Sequence, residues 1–127
     1  VEERFGHNVE LAKKKAHRPN IVLNKLKGDS QQMLSQLVVE QKEYDLVYID
    51  GGHDAHTVLT DGVLGFRLLK PGGVLIFDDY TFYRGDASNL SSSPKIAIDA
   101  ITTCFAGKYR WPSLTTHSPT QVFIQKV

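Results

Sequence analysis

Residues 44–53 read YDLVYIDGGH and residues 68–80 read LLKPGGVLIFDDY, and these two stretches decide the predicted fold. Each contains a short continuous apolar run, LVYI or VLIF, that ends directly on aspartate. Such runs, bounded by turn residues, are typical of strands that a parallel sheet buries on both faces. Between them, residues 54–69 carry apolar side chains at helical spacing. A strand, a helix and a second strand in this order predict a parallel β-α-β unit.

The same periodicities extend this pattern to both ends of the chain. They predict helices over 2–16, 31–42, 54–69 and 95–106, strands over 21–26, 44–49, 73–77, 109–115 and 121–126, and a polar loop over 81–93. Helices alternate with strands until two strands follow each other near the end. The order predicts a single α/β domain over residues 1–127, with a mostly parallel sheet and a C-terminal antiparallel hairpin.

The composition narrows the classes of partner. The 127 residues carry 15 basic and 14 acidic side chains, a net charge of +1, which gives no electrostatic basis for binding nucleic acid or an anionic membrane. No apolar run approaches the roughly 20 residues of a membrane span. The single cysteine, Cys104, excludes an internal disulfide and predicts a cytoplasmic protein. Its apolar neighbours predict that Cys104 is buried.

Acidic residues follow three of the predicted strands. Asp29 comes after the first strand, Asp50 ends the second, and Asp78 and Asp79 end the third. Because ligands in open α/β sheets bind beyond the carboxyl ends of the strands, we expect these residues to share one site. Crowded carboxylates require hydrogen-bond donors or a cation. Oxygen ligands favour Mg²⁺, with Mn²⁺ or Ca²⁺ as alternatives, and the shortage of nearby imidazole and thiol ligands argues against zinc.

Most of these residues also have a purely structural interpretation. Asp29 is a common residue for capping a helix, and Asp50 could belong to a plain Asp-Gly-Gly turn. His53 is either a general base beside the acidic residues or a cap for the helix that follows it. Adjacent Asp78 and Asp79 at a buried strand end are the hardest to explain without a function.

These motifs resemble those of the class I S-adenosylmethionine-dependent methyltransferases, most closely the branch of sugar and macrolide O-methyltransferases. The resemblance rests on YDLVYIDGGH and LLKPGGVLIFDDY, and it is supported by ERFGHN at 3–8, KGDS at 27–30, SPKIAIDAITTCF at 93–105 and QVFIQKV at 121–127. It implies a three-layer Rossmann-like methyltransferase fold. It also implies S-adenosylmethionine and a divalent cation, Mg²⁺ or another, as cofactors.

The resemblance implies a role for each matching residue. Asp29 and Ser30 correspond to the loop that contacts the adenine of the cofactor, and Asp50 to a position that serves the cofactor, the metal and catalysis. His53 corresponds to the general base proposed for some sugar-modifying members.

Asp78 and Asp79 correspond to the remaining metal ligands beside Asp50. Catechol-type relatives carry Asp-Asn at this point of the sequence, so Asp79 departs from that subgroup and agrees with the sugar-modifying one.

Two family features are missing from this sequence: the glycine-rich loop after the first strand, and the acidic residue that holds the ribose. We therefore expect an N-terminally incomplete domain that lacks the first two strands and binds S-adenosylmethionine weakly or not at all. Numbered as in the family, the sheet order is 3-2-1-4-5-7-6. Two outcomes would satisfy the open edge of strand 4, residues 44–49: strand 3, residues 21–26, moves beside it, or it pairs in a homo-oligomer or with a complementing N-terminal segment. If the chain is part of a longer protein, the family order simply persists with a gap. We expect repair within the chain or by association rather than an exposed edge.

The predicted function is S-adenosylmethionine-dependent, metal-assisted O-methylation of a small hydroxylated molecule. The first alternative is a non-catalytic interaction or regulatory domain that reuses this fold without cofactor. The second is a metal-binding module with hydrolytic activity, which the sequence disfavours because no nucleophile stands beside a base.

Overall fold

The computed structural model describes residues 2–15, 20, 22–83, 89–113 and 120–127. The elements are α1 (Glu2–Lys15), α2 (Ser30–Val39), β1 (Tyr44–Ile49), α3 (Ala55–Arg67), β2 (Leu69–Phe77), a 3-10 turn (Leu90–Ser92), α4 (Pro94–Cys104), β3 (Tyr109–Arg110) and β4 (Val122–Lys126). The predicted α/β fold class is confirmed.

The strands form one mixed sheet in the order β1-β2-β4-β3. β1 and β2 are parallel, with Ile49 opposite Phe77, whereas β4 runs antiparallel to both β2 and β3. The predicted parallel unit and the predicted C-terminal antiparallel hairpin are therefore both present. Together the strands follow the order 4-5-7-6 of the family numbering.

The predicted strand over 21–26 is wrong for the residues that the structure describes. Residues 22–27 belong to no helix or strand, and Val22, Leu23 and Leu26 are largely exposed. In the described part of the sheet β1 pairs with β2 alone, so strand 3 has not moved beside strand 4. An apolar run becomes a strand only when a neighbour satisfies its backbone, and this run has none among the described strands.

Three other predictions need correction: the bounds of two strands and the burial of Cys104. β2 begins at Leu69 rather than at residue 73, because Tyr44 N–H donates to Leu68 O at 2.8 Å and the pairing with β1 starts there. The predicted strand over 109–115 is reduced to β3, and its last two residues lie outside the described part of the chain. Cys104 is exposed rather than buried, because it ends α4 beyond the buried positions Ile98 and Ile101.

Two glycines let α3 lie close to its neighbours. A Cβ at Gly65 would lie 3.2 Å from Val47 Cγ1 on β1, and one at Gly62 would lie 2.4 Å from Ile101 Cδ1 on α4. α3 thus packs on the sheet through one glycine and against α4 through the other. The core forms where these elements meet, and its fully buried large apolar side chains are Leu68, Leu69, Leu75, Phe77, Ile98, Ile101 and Ile124.

The opposite face of β1 is not covered in the same way. Tyr44, Leu46 and Tyr48 alternate on it and are 38%, 56% and 45% exposed, so no described helix buries them. α1 is exposed along most of its length, and its Phe5 ring lies under the Lys25 ammonium group, 5.2 Å away. A search of the described helices for a segment apolar and long enough to cross a bilayer finds none.

Candidate active site

The carboxyl ends of β1 and β2 form the floor of a small cleft. Asp78 N–H donates to Ile49 O at 3.0 Å, which extends the strand pairing by one step and brings the residues after the two strands together. The cleft has about 210 Å³ of empty space, and its lining residues are Ile49, Asp50, Gly51, Gly52, His53, Val58, Asp78, Asp79 and Pro94. The structure thus brings together four of the predicted site residues, Asp50, His53, Asp78 and Asp79.

A backbone turn directs Asp79 at His53. Asp79 has φ of 57°, in the left-handed region, which aspartate tolerates better than most side chains. Phe82 N–H donates to Asp79 O at 2.8 Å and closes the turn, and the Phe82 ring packs against the imidazole with centroids 4.4 Å apart. Nε2 of His53 lies 2.7 Å from Asp79 Oδ2. The imidazole is therefore fixed on one side by a carboxylate and on another by an aromatic ring.

The contact between His53 Nε2 and Asp79 determines which nitrogen of the imidazole can accept a proton. If Asp79 is ionised it only accepts hydrogen bonds, so Nε2 carries the hydrogen and Nδ1 of His53 carries the lone pair. A carboxylate that orients an imidazole in this way also stabilises the imidazolium that forms when Nδ1 takes a proton. These contacts orient the His53 imidazole, and its role as a general base stays a prediction. The prediction that it is only a cap for the following helix has no support from its contacts, because Asp54 is the residue at the start of α3.

Asp78 is held by a different set of donors. Its carboxylate accepts hydrogen bonds from the Tyr48 hydroxyl and, at 2.8 Å, from Asp79 N–H. The Tyr48 bond, with the Asp79 N–H second, lowers the pKa of Asp78 from its usual range. The same bond raises the pKa of Tyr48 to about 12, so the tyrosine stays protonated and donating. Gln121 Nε2 donates to the Tyr48 hydroxyl at 3.2 Å, which ties the start of β4 to this corner.

The predicted adenine-side residues are held beside the cleft rather than in its lining. Asp29 caps α2, since its side chain accepts Gln32 N–H at 3.1 Å. Ser30 Oγ donates to the Asp61 carboxylate, with distances of 2.9 and 3.1 Å to its two oxygens. A Cβ at Gly51 would lie 3.7 Å from Asp61 Oδ2, so the same carboxylate also lies beneath the turn that follows β1.

Asp61 and Tyr48 are site residues that the sequence did not predict. Asp61 is 4% exposed, and burial, with the nearby charge of Asp29 as a smaller cause, raises its pKa although the Ser30 hydroxyl opposes the shift. A charged residue among the apolar positions of helix 54–69 was the available signal. Tyr48 lies within the LVYI run, where an aromatic side chain gives no sign that its hydroxyl reaches a carboxylate.

The residue types of the cleft suit a hard cation, but their present contacts do not form a ligand set. Asp50, Asp78 and Asp79 offer the carboxylate oxygens that Mg²⁺ prefers. In the described residues, however, no group of three or more His, Cys, Asp or Glu side chains is arranged to hold a metal ion. The Asp78 carboxylate accepts from Tyr48 and that of Asp79 contacts His53, so ligation by Asp79 would compete with its contact to the imidazole.

Comparisons with known proteins point in one direction. A protein-family model described as a methyltransferase domain matches residues 2–80. The uncharacterized protein R132 of Acanthamoeba polyphaga mimivirus is 35% identical over 65 residues, which make up 51% of this chain and 28% of that protein.

Solved structures with the same fold include MycE methyltransferase from the mycinamycin biosynthetic pathway. Its complex with Mg, SAH and mycinamycin VI matches with a TM-score of 0.58 at 16% identity, over 81% of this chain and 31% of that chain. A crystal form with Mg and SAH matches with a TM-score of 0.56 at 18% identity, over 81% and 32%. At these identities the likeness concerns the fold. The chain spans less than a third of the length of these relatives.

Proposed function

The chain belongs to the class I S-adenosylmethionine-dependent methyltransferases, and from that premise we propose that its protein methylates a hydroxyl oxygen of a small molecule. The observation that carries the proposal is the His53–Asp79 pair in the cleft at the ends of β1 and β2, with Nε2 and Oδ2 2.7 Å apart. Ligands of open α/β sheets bind at this edge. A base held at this edge would lie beside both the acceptor hydroxyl and the methyl donor.

The chain's own residues account for the movement of the proton. S-Adenosylmethionine, when bound, supplies an electrophilic methyl group on a sulfonium. His53 takes the proton of the acceptor hydroxyl at Nδ1, and Asp79 at Nε2 stabilises the charge that the imidazole gains. The cofactor would give its methyl group to the acceptor oxygen and would keep the electrons of the broken carbon–sulfur bond on its sulfur. Asp50, in the turn that follows β1, lines the same cleft, and we assign it as a second catalytic residue beside His53.

A divalent cation, Mg²⁺ first, belongs to the proposal. Asp50, Asp78 and Asp79 would hold it, and it would lower the pKa of the acceptor hydroxyl and fix its position. The all-oxygen donor set supports this assignment, as does the Mg that the MycE complexes contain. Because Asp79 also contacts His53, binding of the cation by this chain is expected to be weak.

The proposed cofactor site consists of Asp29 and Ser30 on the adenine side, with Asp50 at the edge of the cofactor. Asp61 supports it from below, through the Ser30 hydroxyl and the turn at Gly51. The SAH named in the MycE complexes supports S-adenosylmethionine as the methyl donor. Since the ribose and methionine motifs are missing from the sequence, we expect this chain to bind the cofactor weakly by itself.

The cellular location of the protein and its partners are also proposals. Its near-neutral charge and single cysteine support a cytoplasmic enzyme that acts on a small hydroxylated molecule, without nucleic acid or a membrane as partner.

A matched pair of histidine variants tests the proposed function. In a version of the protein that carries the complete cofactor site, we expect His53→Ala to lower the rate of S-adenosylhomocysteine release with a panel of hydroxylated acceptors by about 10² to 10⁴, the usual contribution of a general base, and to leave cofactor binding almost unchanged. His56→Ala is the control, because His56 is an exposed residue of α3 whose ring nitrogen Nε2 lies 3.3 Å from the hydroxyl of its neighbour Thr57. Equal turnover in the two variants would remove His53 from the mechanism.

A second candidate function is an interaction domain that uses β1. The exposed Tyr44, Leu46 and Tyr48 favour it, together with the absence of a second partner for β1 in the described part of the sheet. An open apolar edge pairs readily with a copy of itself or with a complementing N-terminal segment. Light scattering distinguishes the possibilities: a concentration-dependent dimer that Leu46→Lys dissociates supports self-pairing, and a strict monomer excludes it.

A further inference from the structure

Asp79, the partner of His53, has a backbone conformation that its surroundings must hold in place. Its φ of 57° lies in the left-handed region, which costs an L-residue free energy even though aspartate tolerates it better than most. Such a conformation persists where the neighbouring structure fixes it. Phe82 N–H, which donates to Asp79 O at 2.8 Å, provides part of that support. The rest comes from Tyr80, the residue that follows Asp79 directly.

Tyr80 is held through both its backbone and its side chain. Its N–H donates at 2.8 Å to the carbonyl oxygen of Thr120, which lies two residues before β4 begins. Its hydroxyl donates to Asp99 Oδ1 on α4 at 2.9 Å, and its ring packs, partly buried, against the hydrophobic core. The residue next to Asp79 is therefore tied to the segment before β4 and, independently, to α4.

Asp99 is itself fixed by Lys95, which lies one turn earlier on α4. Lys95 Nζ forms an ion pair with Asp99 Oδ2, and the same ammonium group lies 4.9 Å from the centroid of the Tyr80 ring. Each of the three side chains thus contacts the other two. The hydrogen bond to Asp99 raises the pKa of Lys95, so its ammonium group stays charged. α4 gives these contacts a rigid support, because its Ile98 and Ile101 are buried in the core.

We infer that Tyr80 and Asp99 are positioning residues for the proposed base, because they hold the turn in which Asp79 meets Nε2 of His53. Neither residue lines the cleft, so neither is placed to touch the acceptor or the cofactor. The inference rests on the proposed function and goes beyond it, because it assigns α4 a role in orienting an imidazole that lies between β1 and α3. Without the Tyr80 hydroxyl, Asp79 can turn away, and His53 loses the acceptor that fixes its ring hydrogen on Nε2.

Nitrogen-15 NMR of the histidine rings tests the inference in this chain, without cofactor and with a chelator that removes cations. At about pH 9 an ordinary imidazole is neutral, and the shifts of its two nitrogens report which one carries the hydrogen. In the unchanged chain we expect His53 to carry it on Nε2, with the exposed His7 as an internal reference. Tyr80→Phe keeps the ring and removes the hydroxyl. We expect it to lower the preference for hydrogen on Nε2 about tenfold, the equivalent of one hydrogen bond to a charged group.

Tyr109→Phe is the matched control, because the Tyr109 hydroxyl also donates to α4, at 3.2 Å to a backbone carbonyl, but holds β3 rather than the turn after β2. Both variants lose one tyrosine hydrogen bond, so a general loosening of the fold would affect His53 alike in both. Asp99→Asn keeps an acceptor for Tyr80 and should preserve the preference, whereas Asp99→Ala should lose it. An unchanged His53 tautomer in Tyr80→Phe, or an equal change in Tyr109→Phe, would overturn the inference. The measurement is separate from the proposed function, because a change in Tyr80→Phe would stand even if His53→Ala kept full turnover.

Discussion

Gly62 sets how closely α3 approaches α4 and the sheet, and replacing it by alanine tests the packing that supports the cleft. An added Cβ would lie 2.4 Å from Ile101 Cδ1 and 2.8 Å from Phe77 Cε1. Both neighbours are buried, at 1% and 0% exposure, and have little room to move away. Overpacking of this kind costs about 1–3 kcal/mol. Alanine in a helix recovers up to about 1 kcal/mol relative to glycine. The net expectation is a loss of about 1–2 kcal/mol in the free energy of unfolding.

Gly6→Ala is the matched control for this prediction. Gly6 also lies inside a helix, α1, but nothing lies within 4 Å of a Cβ built on it. It therefore receives the same gain in helix propensity without the packing cost, and we expect its stability to be equal to or above that of the unchanged protein.

Urea unfolding followed by circular dichroism compares the two variants. With a slope of about 2 kcal/mol per molar urea, the middle of the usual range, the midpoint for Gly62→Ala should fall by about 0.5–1 M with the slope unchanged. A midpoint for Gly62→Ala as high as that for Gly6→Ala would refute the reasoning, because it would mean that α3 and α4 separate without cost.

Three further predictions concern the buried Asp61 carboxylate, the Lys126 ammonium group and the binding of a divalent cation. Because the pKa of Asp61 is raised in the folded chain, the folded state binds its proton more tightly than the unfolded state does. The stability of the unchanged protein relative to Asp61→Asn should therefore improve as pH falls from the raised value toward 3.8, and a pH-independent difference in urea midpoints would contradict this. Lys126 donates to Leu69 O at 2.6 Å and to Phe66 O at 3.3 Å, so Lys126→Met should cost about 1–3 kcal/mol. Lys70→Met, which removes only an exposed pair with Asp45, should cost less than about 1 kcal/mol. Calorimetric titration with Mg²⁺ or Mn²⁺ should give weak heats that the Asp78→Ala/Asp79→Ala variant loses, and equal heats would argue against these ligands.

The elements nearest the cleft could be predicted because their determinants are local. β1 and the end of β2 are apolar runs stopped by turn residues, and Asp54 marks the start of α3 almost where the pattern places it. Once Ile49 and Phe77 are opposite each other, the residues that follow must share an edge. The grouping of Asp50, His53, Asp78 and Asp79 is thus a consequence of strand register that the sequence contains.

Other features depend on partners that a linear pattern does not contain. The run IVLNKL has the composition of a strand, but whether it becomes one depends on a neighbour. The first part of β2 passes through Pro71, which would ordinarily argue against a strand. The proline is tolerated because the part of β2 that pairs with β4 is Val74 to Phe77. No acceptor on β4 therefore needs a backbone donor at Pro71. These outcomes are decided between elements, and the sequence alone gave no means of choosing.

The buried carboxylate of Asp61 connects the two loops to which we assign the cofactor. Ser30 comes from the start of α2 and Gly51 from the turn after β1, and both lie against the same side chain of α3. The His53–Asp79 pair is anchored independently, by the turn at the end of β2 and the Phe82 ring. The proposed cofactor loops are therefore held by a side chain of α3, whereas the proposed acceptor side is held by the turn that follows β2 and by the Phe82 ring. A change that loosens Asp61 should therefore disturb the position of the proposed cofactor loops and leave His53 in place.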